Sequence, residues 1–253
     1  MVEAGIVEKQ ARECFYLVDK PGLLIEGMPG LLPFQADFAQ NRNRVAGWTL
    51  ETPGRIGLAD VISNAHPTVL IGTSGQARGF AESVVRTMAR NVQRPVIFPL
   101  SNPTERSEAN PADLDAWTEG RALIATGSPF PPIKRNGEEF RIDQNNNAYV
   151  YPGIGLGAIA VRARRISDGM FLAAANAIAA HSPTRRDPNA NLLPPLTEIR
   201  KLSFQVAVAV ARQAQKEGCA DAFSEEQAAA AISAKMWEPV YASYRRVARK
   251  LSD

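Results

Sequence analysis

Cysteine and histidine are nearly absent: Cys14, Cys219, His66 and His181 are all that 253 residues carry. None of the four has metal-ligand spacing, which excludes a disulfide framework and a zinc-type site built on these residues. Both thiols are expected as small buried or half-buried groups in a reducing compartment. Long hydrophobic runs are missing too, since nothing approaches the roughly 18 to 20 apolar residues of a membrane span. The opening MVEAGIVEKQARECFYLVDK lacks the basic, apolar and cleavage regions of a signal peptide, so the expected location is the cytoplasm. Charge of one sign is also scarce: 29 basic and 26 acidic residues leave +3. The arginines are scattered and do not cluster with aromatics, which argues against nucleic acid as a partner. No repeat or low-complexity segment breaks the chain.

What is present is a globular composition, 45% hydrophobic, enough for one large domain or two modest ones. Residues 2–13 read as the end of a helix, and CFYLVD (14–19) as a short strand buried on both faces and stopped by an acid. Residues 20–54, rich in Gly, Pro, Gln and Asn, read as a long surface connection with a helical turn around 36–41. RIGLADVISNAH then has helical spacing, TVLIGT reads as a strand, GFAESVVRTMARN as a helix and PVIFPL as another strand. A short helix and a further strand follow before Thr126. This β-α-β-α-β order with near-continuous apolar strands predicts an α/β fold with a doubly wound, mostly parallel sheet, which binds ligands outside the strands' carboxyl ends. Asp19, Gly72–Gln76, Ser101–Thr104 and Thr126–Phe130 fall at those ends. From about residue 147 only helices are predicted: AIAVRARR, DGMFLAAANAIAAH, LTEIRKLSFQVAVAVARQAQKEG and SEEQAAAAISAKMW. A boundary near 147 separates a Rossmann-like segment, 1–146, from a helical one, 147–253.

Each motif has a bland reading beside the functional one. GIGLG (153–157) looks like a dinucleotide fingerprint, but that motif needs a preceding strand and an acid about 20 residues later on a second strand. Here those later positions lie inside another helix, so a helix packed closely through its glycines is expected. Asp19 stands where a Rossmann fold places the carboxylate that binds adenosine ribose. An acid ending a strand explains it equally, and the Gly-rich turn about 20 residues earlier would fall before Met1. IGTSGQARG (71–79) reads as a strand entering a small-residue turn and a helix whose first amides can approach an anion, or as a plain turn. In LSNPT (100–104), Pro103 disfavours helical conformation at Asn102, whose amide can donate and accept; an ordinary turn also fits. QNNN (144–147) places three adjacent asparagines before an apolar run, where a solvent loop is the alternative. Asp113 with Asp115, and Glu138 with Glu139, read as solvated surface acids. No constellation here offers the perturbed acid or base that catalysis needs, or clustered metal ligands.

VLIGTSGQ, RPVIFPLSNPTERSEANPADLDAWTEGRALIATGSPFPP, NNNAYVYPGIGLGAIAVRARRISDGMFLAAANAIA and the closing MWEPVYASYRR, in that order, closely resemble the C-terminal half of malic enzymes. The resemblance implies an incomplete Rossmann-like domain followed by C-terminal helices. The activity implied is NAD(P)-dependent oxidation of L-malate and decarboxylation to pyruvate and CO2, with Mg²⁺ or Mn²⁺ stabilising the enolate. It implies that Asn102 and Asn147 contact malate or the nicotinamide, and that Asp19 binds the adenosine ribose. Thr73 and Ser74 would line the cofactor, with Gly127 and Asn146 close by. The family's catalytic Tyr and Lys, malate-binding Arg, metal-binding carboxylates and Gly-rich turn have no counterpart in residues 1–253. The chain is therefore expected to be a C-terminal portion that is not catalytic alone, starting inside the helix after that turn. Its helices from 147 would pack on a catalytic domain formed elsewhere. An N-terminal half or a homologous subunit is the implied partner, in a homo-oligomer. NAD is favoured because Asp19 repels a 2′-phosphate, although Lys20 leaves NADP open. A non-catalytic regulatory or assembly module of the same descent is the alternative. An unrelated 2-hydroxy acid dehydrogenase is disfavoured, because no catalytic His or Tyr-Lys pair stands at a strand end.

Overall fold

A computed structural model describes residues 1–135, 137–241 and 243–244. The chain forms two compact units: residues 1–146 together with 186–193, and residues 147–185 together with 194 onward.

The first unit opens with a single 3-10 turn at Val2–Ala4 and the short helix α1 (Glu8–Arg12) in place of one continuing helix. The expected strand over 14–19 is corrected. Only β1 (Val18–Asp19) is extended, and it pairs antiparallel with β2 (Gly22–Leu23) across a tight turn in which Gly22 has φ +106°. A strand buried on both faces needs a ladder on each side. Here the partner is the chain's own next residues, which leaves Phe15 and Val18 exposed. Cys14, expected at least half-buried, is exposed for the same reason, whereas Cys219 is buried. The long connection carries two short helices, α2 (Pro33–Ala36) and α3 (Arg42–Val45), on either side of the expected turn. Between them the buried Gln40 donates to the carbonyls of Glu13 and Phe15, anchoring the loop to the N-terminal segment.

Helix α4 (Leu58–Ala65) starts where Asp60 turns back to accept from the amides of Gly57 and Glu51, each at 2.7 Å. Then come β3 (Val69–Gly72), α5 (Glu82–Asn91), β4 (Val96–Pro99), α6 (Pro111–Trp117), β5 (Leu123–Thr126) and β8 (Asp143–Gln144). Asn110 caps α6, its side chain accepting from Ala112 N–H at 2.9 Å, and Pro111 fits the first helical position. The four strands form one parallel sheet in the order β3-β4-β5-β8. Leu70, Ile97 and Ile124 sit side by side across three strands and pack on Ile62, Val85, Met88 and Leu114 of α4, α5 and α6. Fully burying a side chain of this size contributes about 1.5–3 kcal/mol, so this row is the unit's main apolar attachment. Because strand side chains alternate, Val69 and Ile71 point to the opposite face, where they are exposed. Arg121 closes the C-terminal end of α5 by donating to the carbonyls of Ala89, Val92 and Gln93.

Two elements have no counterpart in the sequence reading. The hairpin β6 (Ile133–Arg135) and β7 (Glu138–Phe140) lies between β5 and β8. Its Arg135 stacks 3.8 Å over Phe140 and pairs with Asp115 at 2.6 Å. Asp115 is therefore a shielded, paired acid, not a solvated one. Strand β8 is also anchored electrostatically: Asp143, 1% exposed, lies 2.8 Å from Arg141 and accepts from the Leu193 amide at 2.9 Å. Burial pushes the Asp143 carboxyl up, and the Leu193 amide and Arg141 offset part of that.

The second unit holds α7 (Tyr151–Ala160), α8 (Asp168–Ala180), α9 (Ile199–Lys216) and α10 (Glu225–Lys235). The helix expected over 158–165 begins earlier and stops at Ala160. GIGLG lies inside α7, and its Gly153 and Gly157 abut Val206 and Ala207 of α9. The buried stripe of α9 runs Leu202, Val206, Val210 and Ala214, the four-residue repeat of a helix face. Ser167 caps α8, and Ser224 with Gln227 forms a capping box at α10. Among the described residues no helix is long and apolar enough to cross a membrane. Ala242, Arg245 and Arg246 of the closing motif lie outside the described residues.

Candidate functional site

Parallel pairing sends the carboxyl ends of β3, β4, β5 and β8 to one edge, and the segments leaving them are tied to one another. The amide of Leu100 donates to Gly72 O at 2.8 Å, Gly127 N–H to Pro99 O at 3.2 Å, and Asn145 N–H to Thr126 O at 2.7 Å. Thr126, fully buried, donates its hydroxyl to Ser128 O at 2.7 Å. Ser128 in turn donates to the Asn102 side-chain oxygen. Gln144 completes the row with a 3.2 Å bond to Gly127 O. Thr73, Ser74, Asn102 and Gly127 are thereby assembled on this edge, and Asn146 follows β8 by two residues.

One candidate lies off this edge. Asp19 ends β1 at the turn of the β1–β2 hairpin, outside the parallel sheet, where its carboxylate accepts from its neighbour Lys20 N–H at 2.7 Å and from Gln35 at 3.3 Å. Asn147 begins the 3-10 turn that opens the second unit.

The residue that organises the edge was not singled out from the sequence. Glu108, 1% exposed, accepts at Oε1 from Ser74 N–H at 2.8 Å, from the Ser74 hydroxyl at 2.9 Å and from the Ser101 hydroxyl. Its Oε2 accepts from Ser101 N–H at 3.3 Å. The Gly75 amide donates to Ser101 Oγ at 2.8 Å, and the Gln76 amide to Ser74 Oγ at 3.1 Å. This corrects one expectation. The turn's amides do not stand at a helix start, since α5 begins only at Glu82, and they are taken within the protein: Ser74 N–H by Glu108, Gly75 N–H by Ser101 Oγ and Gln76 N–H by Ser74 Oγ. The available signal was an acid among small residues, SEAN, a few positions after a strand-end Ser-Asn-Pro.

Burial by itself would push Glu108 up, but the bonds from Ser101 and Ser74 outweigh it and hold the carboxyl below the usual range. A depressed folded pKa stabilises the fold in full above the ordinary glutamate range, and that contribution is lost as pH falls through the depressed value. Asp143, raised by burial, has the opposite sign and softens the loss. Acid titration of thermal stability is expected to show a steeper descent for the wild-type chain than for Glu108→Gln; identical slopes would refute the assignment.

The edge offers hydroxyls and a carboxamide, which fit neutral hydrogen-bonding groups better than charged phosphates. They do not fit a metal: among the described residues no group of three His, Cys, Asp or Glu could hold one.

The family model described as Malic enzyme, NAD binding domain, matches residues 1–215. The chain belongs to the malic enzyme family. It is 48% identical over 246 residues to an NAD-dependent malic enzyme of Edwardsiella ictaluri, covering 97% of this chain and 43% of that protein. With a namesake from Acinetobacter baylyi it shares 47% over 247 residues, covering 98% and 44%. Among solved structures, a malic enzyme from Pyrococcus horikoshii superposes with TM-score 0.60 at 26% identity over 83% of this chain and 44% of that one. One from Entamoeba histolytica gives TM-score 0.62 at 24% identity, covering 85% and 40%, and supports the fold alone. The malic enzyme chain described here thus spans less than half the length of the curated relatives it matches.

Proposed function

We propose that this chain is the NAD-holding part of a malic enzyme that converts L-malate to pyruvate and CO2 while reducing NAD. The supporting observation is the carboxyl edge, where Ser128 holds Asn102 and Glu108 holds Ser74 beside the exposed Thr73, in a chain that matches a malic enzyme NAD binding domain. Asn102 and Asn147 contact malate or the nicotinamide, Gly127 and Asn146 flank them, and Asp19 serves the adenosine ribose. The acid-base groups and the ligands for Mg²⁺ or Mn²⁺ come from polypeptide outside these 253 residues, an N-terminal half or another subunit in a homo-oligomer. When bound, the metal supplies stabilisation of the enolate.

Calorimetric titration of the purified chain with NAD tests this reading. Asp19→Ala is expected to weaken NAD about tenfold, in line with about 1.5 kcal/mol for a hydrogen bond to a charged group. It should weaken NADP less, because the same change removes a repelling charge. A folded chain that binds neither dinucleotide sinks the proposal.

A further inference from the structure

Glu108 is costly to keep. A buried carboxylate stabilises little unless every lone pair is served, and an apolar side chain of similar volume is often as good. No lysine, arginine or histidine lies within ion-pair distance of it among the described residues. Two hydroxyl and two backbone-amide bonds to its carboxylate come from Ser74 and Ser101, the turn after β3 and the segment after β4. The backbone makes room for it: a Cβ on Gly72 would stand 2.6 Å from the Glu108 carboxyl carbon. Thr73 and Asn102, both exposed at the edge, adjoin the two clamped serines.

We propose that Glu108 is the positioning residue of the cofactor edge. One buried carboxylate clamps the Thr73–Gln76 turn to the Ser101–Pro103 segment and so fixes how far apart Thr73 and Asn102 are presented. It touches no ligand itself. The inference rests on the cofactor reading above for its ligand, but its geometry stands apart from that reading.

Glu108→Gln separates a clamp from a mere core filler, because the two side chains have the same shape. The amide oxygen can replace Oε1 and keep Ser74 N–H and both hydroxyls. Its NH2 group then faces Ser101 N–H, donor against donor, so the Asn102 side loses one of its two bonds while the Ser74 side keeps both. The expected result is an NAD affinity about tenfold weaker, because Asn102 is no longer held at its productive spacing from Thr73, in a chain that remains folded. Site-resolved amide exchange should quicken at Ser101 and stay slow at Ser74, while Glu108→Ala quickens both. Wild-type affinity in Glu108→Gln overturns the proposal. If the wild-type chain binds no NAD, the cofactor reading fails separately, and the clamp is then judged by exchange: unchanged protection of Ser74 and Ser101 in Glu108→Ala overturns it.

Discussion

Gly127→Ala is expected to lower the melting temperature of the first unit by about 6–12 °C, more than any substitution of an exposed residue. A Cβ at this position would stand 2.1 Å from Leu100 O and 2.7 Å from its carbonyl carbon. Both are backbone atoms, so no rotamer change relieves the contact. Leu100 cannot retreat easily, because its own amide is bonded to Gly72 O. Overpacking typically costs up to about 3 kcal/mol, and each kcal/mol corresponds to about 2–4 °C in a unit of this size. The strain falls on the segment that carries Asn102, so dinucleotide affinity should drop together with stability. Thermal denaturation followed by circular dichroism, with an NAD titration alongside, measures both. A variant that melts like the parent would show that the β4 and β5 ends are not in this close contact.

The second large effect divides two glycines of one helix. Gly157→Ala places a Cβ 2.5 Å from Ala207 O and 3.0 Å from Ala207 Cα, forcing α7 and α9 apart. Ala207 and its neighbour Ala211 are fully buried and belong to the apolar cluster around Ile232, so the separation opens that cluster. Against the overpacking cost of up to about 3 kcal/mol stands the helix-propensity gain of roughly 1 kcal/mol from Gly to Ala. A net loss of about 2 kcal/mol remains. Gly155→Ala meets nothing within 4 Å, so the propensity gain of about 1 kcal/mol is expressed alone. Urea titration should therefore shift the midpoint down for one variant and up for the other. Shifts of the same sign would contradict the helix-packing geometry.

The sheet was legible where its strands are apolar enough to need no context. Val69–Gly72, Val96–Pro99 and Leu123–Thr126 are buried on at least one face, and their hydrophobic runs say so. CFYLVD has the same composition, yet only Val18–Asp19 is extended, because a strand also needs a ladder and composition does not reveal its neighbours. Strand β8 escaped for the converse reason: Asp143 and Gln144 are polar, and their place in the sheet depends on Arg141 and Leu193. The β6–β7 hairpin has a readable sign in the sequence, an Asn-Gly dipeptide, the strongest short-range hairpin signal. At the site, the strand-end residues Thr73, Ser74, Asn102 and Gly127 followed from parallel topology. Glu108 did not, since its role comes from two loops meeting over a third. Asp115 likewise reads as a surface acid until Arg135 is seen beside it.

The first unit is not a continuous stretch of chain. Residues 186–193 return to it after two helices of the second unit have been made, and they carry part of its polar framework. Asn191 donates to Arg141 O at 2.6 Å, Arg141 donates to Leu193 O at 2.8 Å, and the Leu193 amide meets Asp143. A gene cut after residue 146 would encode every strand of the sheet and still leave the last one with a buried carboxylate short of its amide donor. Moving the first unit of this chain as one uninterrupted block would therefore leave that framework behind, unless the helical passage that brings residues 186–193 back travels with it.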